Sequence, residues 1–171
     1  MNLLIIENIS DYVHSQMTFC ISWTIRGSNF ILKQIAETEN HILNLDKLTY
    51  AGNLDNLVSV ADNPRYQFVE GDITDANLVQ SVIVDFQPDD IIHFAAEAHV
   101  DRSLDGPIPF IMTNVVGTAI LLDRMHNYWK GLDGQKKENF RFLHVSTDEV
   151  FGSLGPDELF RIDTPYDPSS P

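Results

Sequence analysis

The sequence predicts an α/β domain built on a doubly wound parallel sheet. Three observations point there. Short apolar runs of strand length alternate with longer stretches whose apolar residues recur at helical spacing. The runs at 91–96 and 140–145 are nearly continuous in apolar character, as strands covered on both faces require. Strand-like runs end in polar or glycine-containing residues, as at Asp46, at Gly71-Asp72 and at Ser146-Thr147-Asp148-Glu149.

Taken in order, residues 1–26 are atypical. Two apolar runs, Leu3 to Ile6 and Met17 to Ile25, each qualify as a first strand. Gly27 opens a helical pattern in which Phe30, Ile31, Ile35 and Ala36 share a face, with Ser28 and Asn29 as capping residues near its start. His41 to Leu45 is a second strand delivering Asp46, and 46–53 is the loop beyond it. Tyr66 to Glu70 alternates as a third strand, with Gly71-Asp72-Ile73 as its exit turn. Thr74 or Asp75 caps a helix running to about Phe86, with Leu78, Val82 and Ile83 inward and Pro88 as its stop. Asp90 to Ala96 is a fourth strand. Pro107 and Pro109 open a long helix to about Trp129, with Phe110, Val115, Thr118, Leu121, Leu122 and Met125 on its buried side. A polar connection, 131–138, leads to a fifth strand from Phe140, and 153–171 is a loop tail without periodicity. There are no internal repeats, so 1–171 reads as one domain.

The totals narrow the function. A net charge of −14 argues against nucleic acid and anionic membranes as partners. Cys20 is the only cysteine, which excludes an internal disulfide and suits a reducing compartment. The first residues lack the basic segment of a signal peptide, and their apolar run is too short for a membrane span, so a soluble cytoplasmic protein is expected.

The chemistry concentrates at strand ends. In open α/β sheets, ligands sit outside the carboxyl ends of the strands. Thr147, Asp148 and Glu149 put a hydroxyl and two adjacent carboxylates at such an end, where an acid and a base can face one substrate; the alternative is a solvated polar turn. Asp46 lies 19 residues past Gly27. That matches the roughly 20-residue spacing between a glycine-rich phosphate turn and the acid that binds a dinucleotide's ribose. The turn itself is missing: Ile21 and Thr24, both β-branched, stand where its other glycines belong, and Arg26 precedes Gly27. His93, Glu97, His99 and Asp101 fit no common zinc spacing, so His93 is expected to be a core histidine and no metal is assigned. No nucleophile-elbow sequence is present, which argues against a hydrolase triad. Tyr128 and Trp129 are expected to pack in the core.

Six stretches carry a resemblance: Asp46 to Asn53 (DKLTYAGN), Gly71 to Ile73, His93 to Ser103 (HFAAEAHVDRS), Thr113 to Thr118, Arg141 to Gly152 (RFLHVSTDEVFG) and Thr164 to Pro171 (TPYDPSSP). In this order they resemble the dTDP-glucose 4,6-dehydratases, of the extended short-chain dehydrogenase/reductase family, over residues 27–171. The resemblance implies a Rossmann-like fold holding NAD across the strand ends. Gly27 would belong to the phosphate turn, Asp46, Lys47, Leu48 and Thr49 would hold the adenosine ribose side, and Asp72 and Ile73 would flank the adenine. Phe94, Ala95, Ala96, Glu97 and Ala98 would line the nicotinamide half, with Thr113 also on the cofactor. Glu149 would be the base and Asp148 the acid for loss of water from a dTDP-glucose-derived sugar. Thr147 would bind the sugar, as would Ala98, which stands where relatives often carry serine.

Relatives continue past a tail like 168–171 into a Tyr-x-x-x-Lys motif and a sugar-nucleotide domain, both absent from this sequence. The chain therefore reads as a truncated, NAD-binding half, expected to show no turnover by itself. Its fifth strand would be left as an exposed edge. A homodimer is compatible with the resemblance. Two other readings remain: a non-catalytic remnant or interaction module of the same fold, and another sugar-nucleotide dehydratase or epimerase.

Overall fold

The computed structural model describes residues 17–21, 25–49, 52–155, 159–161 and 163–169. Five parallel strands form one sheet in the order β3-β2-β1-β4-β5. They are β1 Met17–Ile21, β2 His41–Asp46, β3 Tyr66–Glu70, β4 Asp90–His93 and β5 Arg141–His144. The chain reverses its direction of winding between β1 and β4, the switch point at which such sheets open a ligand crevice. Within the candidate run Met17 to Ile25, Met17–Ile21 forms the strand, with Met17 beside His41 and Ile21 beside Leu45 and His93, and Ile25 already opens the next helix; the other candidate, Leu3 to Ile6, lies outside the described residues.

Alternation along the strands feeds two cores. Leu43, Leu45 and Ile91 pack with α2 (Ala76–Phe86) and α5 (Thr118–Gly131) through Val79, Ile83, Leu121 and Met125. Ile42 and Ile92 face the other way, onto Phe30, Ile31 and Ile35 of α1 (Ile25–Glu37) and Leu57 of a 3-10 helix, Leu54–Val60. Both faces are thus covered, which is why β2 is buried at every position after His41.

Helix ends explain several boundaries. Asp75 caps α2 by accepting from the amides of Asn77 and Leu78. Gln87 closes it in the left-handed region at φ 50°. The guanidinium of Arg65 donates to the carbonyls of Ile35 and Thr38, tying the end of α1 to the start of β3.

Several expectations fail for local reasons. α1 begins at Ile25, so Ser28 and Asn29 lie inside its first turn and do not cap it, and Ala36 is exposed. β4 ends at His93; residues 94–99 are irregular. The connection to β5 contains a helix, α6 Gly134–Asn139, and α3 Val100–Asp105 precedes the long helix. That long helix spans Ile108–Gly131, but Ile111–Gly117 is π-helical. The wider turn shifts the phase of the buried face. Phe110, Thr113, Gly117, Leu121 and Met125 are buried, whereas Val115 and Leu122 are 60% and 46% exposed. Trp129 is also at the surface, stacked on His126 with the Lys137 ammonium over its ring, while Tyr128 packs on Phe140 and donates to the Pro88 carbonyl.

Candidate functional site at the carboxyl edge of the sheet

Because the strands are parallel, Asp46, Asp72, the 94–98 segment and the 147–149 turn all follow carboxyl ends along one edge of the sheet. The edge is best built at β2. Asp46 is 7% exposed, and its Oδ1 accepts from the amide of Leu48 at 2.8 Å. Leu48 stands at φ 50°, which folds the loop back over the carboxylate. Beneath lies a small cleft whose lining includes Ser28, Asn44, Asp46, Leu48, Gly52 and Leu57. Asn44 is 1% exposed. Its Nδ2 donates to the Tyr66 hydroxyl at 3.2 Å, and its Oδ1 has no partner among the described residues. The Thr49 hydroxyl is likewise buried without one among them. Orphaned buried polar groups such as these are costly to leave unpaired. Gly27 is buried at the start of α1.

At the exit of β3, Lys47 and Asp72 hold each other at 2.6 Å. Partial burial pushes the Asp72 carboxyl up, but the hydrogen bond from Lys47, those from the Thr74 amide and hydroxyl, and the Lys47 charge outweigh it. The carboxyl therefore lies below its ordinary value and is held as an anion. Ile73 is buried, and a Cβ on Gly117 would meet its side chain at 2.7 Å. Only glycine lets the π-helical segment come this close to the Asp72-Ile73 turn.

Beyond β4, the Phe94 ring packs on Phe30 and Ala95 enters the opposite core, so both point into protein. What 94–98 offers a ligand is Ala96, Glu97, the exposed Ala98 and main chain. This segment is held by Asn114, whose Oδ1 accepts from the Glu97 amide at 2.8 Å while its Nδ2 donates to the Glu97 carbonyl at 2.9 Å. Thr113, its neighbour in the π-helical segment, is buried. His93 is fully buried. Its Nε2 lies 3.0 Å from the Thr118 hydroxyl and its Nδ1 has no partner among the described residues, so this core histidine is only half satisfied. Burial and the charge of His144 drop its pKa to about 3, which keeps it neutral.

At β5, Asp148 and Glu149 open a 3-10 turn, Asp148–Phe151, and both are exposed. Thr147 caps it: its hydroxyl donates to Asp148 Oδ1 at 3.2 Å and accepts from the Glu149 amide at 3.4 Å. The tail comes back to hold this turn. Phe151 contacts the rings of Phe160 and Tyr166, and the Asp167 amide donates to the Val150 carbonyl. Gly152, at φ 83° and against the Asp167 carbonyl, is where the chain needs a residue without Cβ.

A family model described as GDP-mannose 4,6 dehydratase matches residues 26–171. The chain belongs to that family. A dTDP-glucose 4,6-dehydratase of Xanthomonas campestris is 51% identical over 145 residues, covering 85% of this chain and 41% of the relative. One from Escherichia coli K12 is 49% identical over 154 residues, covering 85% and 43%. The chain thus spans less than half the length of these relatives. Among solved structures, the Bacillus anthracis dTDP-glucose 4,6-dehydratase in complex with NAD has a TM-score of 0.76 at 37% identity, covering 91% of this chain and 45% of that one. A Thermotoga maritima UDP-glucose 4-epimerase, at 23% identity and TM-score 0.73, shares the fold.

Of the residues that reasoning from sequence singled out, Gly27, Asp46, Leu48, Thr49, Asp72, Ile73 and Thr113 lie along the edge as described, and Lys47 is committed to Asp72. Asn44 was not singled out, Ser28 was read only as a capping residue, and Asn114 and Gly117 were read only as part of the 113–118 stretch, not as site residues. Asn44 had a signal: it is the one polar residue inside an otherwise apolar strand run.

Proposed function

We propose that this chain is the NAD-binding, proton-handling half of a dTDP-glucose 4,6-dehydratase acting in nucleotide-sugar metabolism. The observation that carries the reading is the sheet order, which puts the Asp46 cleft and the Asp148-Glu149 turn at the same edge of one sheet. The Asp46 carboxylate lines a small cleft together with Ser28, Gly52 and Asn53, and a carboxylate suits the donors of a cofactor ribose. When bound, NAD would supply the hydride acceptor for carbon 4 of the sugar and, after water is lost, the hydride donor to carbon 6. Asp46 would accept from the ribose diol, and the Asp72-Ile73 turn would flank the adenine. The oxidised sugar carries an acidified proton on carbon 5, which the Glu149 carboxylate removes. The Asp148 carboxyl gives its proton to the departing hydroxyl on carbon 6, and the Thr147 hydroxyl hydrogen-bonds the oxygen at carbon 4. The two carboxyls need opposite protonation states, which unequal surroundings impose once a sugar covers one of them.

A chimera in which residues 26–171 replace the matching segment of the Xanthomonas campestris relative tests this. It is expected to form dTDP-4-keto-6-deoxyglucose, and Asp148→Asn in the chimera is expected to stop water loss while sparing sugar oxidation. Undiminished product from the substituted chimera would refute the assignment.

The competing reading, a remnant of the fold that binds nothing, draws on Ile21 and Thr24 in place of turn glycines; calorimetry with NAD separates the two. The exposed apolar side chains of Ile108, Ile111, Met112, Val115 and Leu122 on the long helix suit a homodimer, to be checked by light scattering. The setting proposed is cytoplasmic, in line with a single cysteine that suits a reducing compartment.

A further inference from the structure

β4 leaves the sheet between β1 and β5, so the 94–98 segment beyond it lies next to the strand that delivers Thr147, Asp148 and Glu149. The Asp46 cleft lies two strands away in the opposite direction. A cofactor that reaches both ends must bring its reacting group to the exit of β4. The main chain there is neither helix nor strand and is held from outside. Asn114 holds it with both ends of its carboxamide: Oδ1 accepts from the Glu97 amide at 2.8 Å and Nδ2 donates to the Glu97 carbonyl at 2.9 Å. A two-point grip of this kind needs the N–H and C=O of Glu97 on one side, as in a paired strand residue. Each belongs to a planar trans peptide, whose other polar group points the opposite way. The Ala96 carbonyl and the Ala98 amide therefore face away from Asn114. Among the described residues, neither has a hydrogen-bond partner. The side chains of these two alanines are single methyl groups, which leave the main chain open to a flat ring.

The grip has a fixed base. Asn114 stands in the π-helical stretch Ile111–Gly117, a wide turn of the sort that recurs at functional sites. Thr113 before it is buried, and Gly117 after it seats against Ile73. We infer that Asn114 is a positioning residue: by gripping Glu97 it aims the Ala96 carbonyl and the Ala98 amide at the nicotinamide half of NAD. The inference rests on the cofactor reading above and adds to it the residue that sets the reactive end. Asn114 itself is spent on Glu97, so it acts through two peptide planes and not on the reacting atoms.

Calorimetry on the 171-residue chain with NAD and with ADP-ribose, which is NAD without its nicotinamide, tests this. In Asn114→Ala, NAD should bind about tenfold more weakly, the loss of a well-placed hydrogen bond, and ADP-ribose within about twofold of its native affinity. A role confined to stability would move both ligands alike. Hydrogen exchange gives a reading that needs no ligand. The Glu97 amide should exchange about tenfold faster in the variant, while the amides of Leu121 and Met125 in the same long helix keep their protection. Equal losses for the two ligands, or no loss of NAD, would overturn the inference and leave the cofactor reading intact; so would an unchanged Glu97 amide. No heat from either ligand with the native chain would remove both. Should Asn114→Ala fail to fold, Asn114→Asp, which keeps the acceptor and loses the donor, carries the same test with a loss of about threefold confined to NAD.

Discussion

The carboxyl ends of β2 and β5 both deliver acids to the same edge of the sheet, yet the surroundings are opposite. β2 lies between β1 and β3 with helices on both faces, and its Asp46 is 7% exposed in a cleft the chain itself completes. β5 pairs with β4 and, among the described residues, with no other strand, and Asp148 and Glu149 are exposed. An interior strand inherits burial from two neighbours and two layers. The turn beyond an edge strand must be held by whatever else packs there, here the aromatic contacts of Phe151 with Phe160 and Tyr166. Position in the sheet order, more than local sequence, sets how pre-organised each acid is.

The contrast can be broken most sharply in stability. Leu45→Ala in β2, fully buried, is expected to cost about 2–5 kcal/mol, and Leu143→Ala in β5, half-buried, about 1–2 kcal/mol, read by urea unfolding. Equal losses would show that β5 is as much a core strand as β2.

Acid should act where the two halves meet, at His93 of β4 and His144 of β5, whose rings lie 4.9 Å apart. Burial and the charge of His144 take His93 from 6.5 to about 3 in the folded chain. The unfolded chain therefore binds a proton that the folded chain does not. Stability is retained above 6.5 and falls as pH drops from there toward 3, by up to about 1.4 kcal/mol per pH unit. His93→Gln keeps a partner for Thr118 and should flatten most of that slope. His144, also lowered by burial, leaves a shallower one of the same sign. Unfolding curves at several pH values with identical slopes in both proteins would exclude His93 as the source.

A smaller effect is expected at the β5 turn. Gly152→Ala forces a side chain into φ 83° against the Asp167 carbonyl, at about 1–3 kcal/mol. The Asp167 amide, which donates to Val150, should lose hydrogen-exchange protection while the amides of β2 keep theirs. Protection lost equally in both would mean that the tail is not a separable clasp.

The smallest change sharpens the comparison from the far side of the sheet. Arg65 binds the carbonyls at the end of α1 from the amino edge of β3. Arg65→Met should cost about 1–2 kcal/mol of stability with NAD affinity unmoved, since the cleft lies at the other edge. A parallel loss of binding would show that the two edges are coupled.

Much of this was legible in the residues. The strands 41–46 and 66–70 could be read nearly to the residue because apolar runs there end abruptly in Asp46 and in Gly71-Asp72. The long helix was legible as a helix, but its buried face was not. In its π-helical segment Asn114 holds Glu97 and Gly117 meets Ile73, and periodicity at 3.6 residues cannot anticipate that segment. Asp148 and Glu149 were legible as candidates; their exposure was not.

The order of apolar runs and the residues that close them are local properties, so the chain alone determined a parallel α/β sheet with acids after β2 and β5. That Met17–Ile21 would pair between β2 and β4, that Asn44 would sit beneath Asp46 with an acceptor unmatched among the described residues, and that Asn114 would hold Glu97 were decided only by tertiary structure. Each depends on partners 17 or more residues away in sequence, and a hydrogen bond or register of that reach has no signature until the layers have packed.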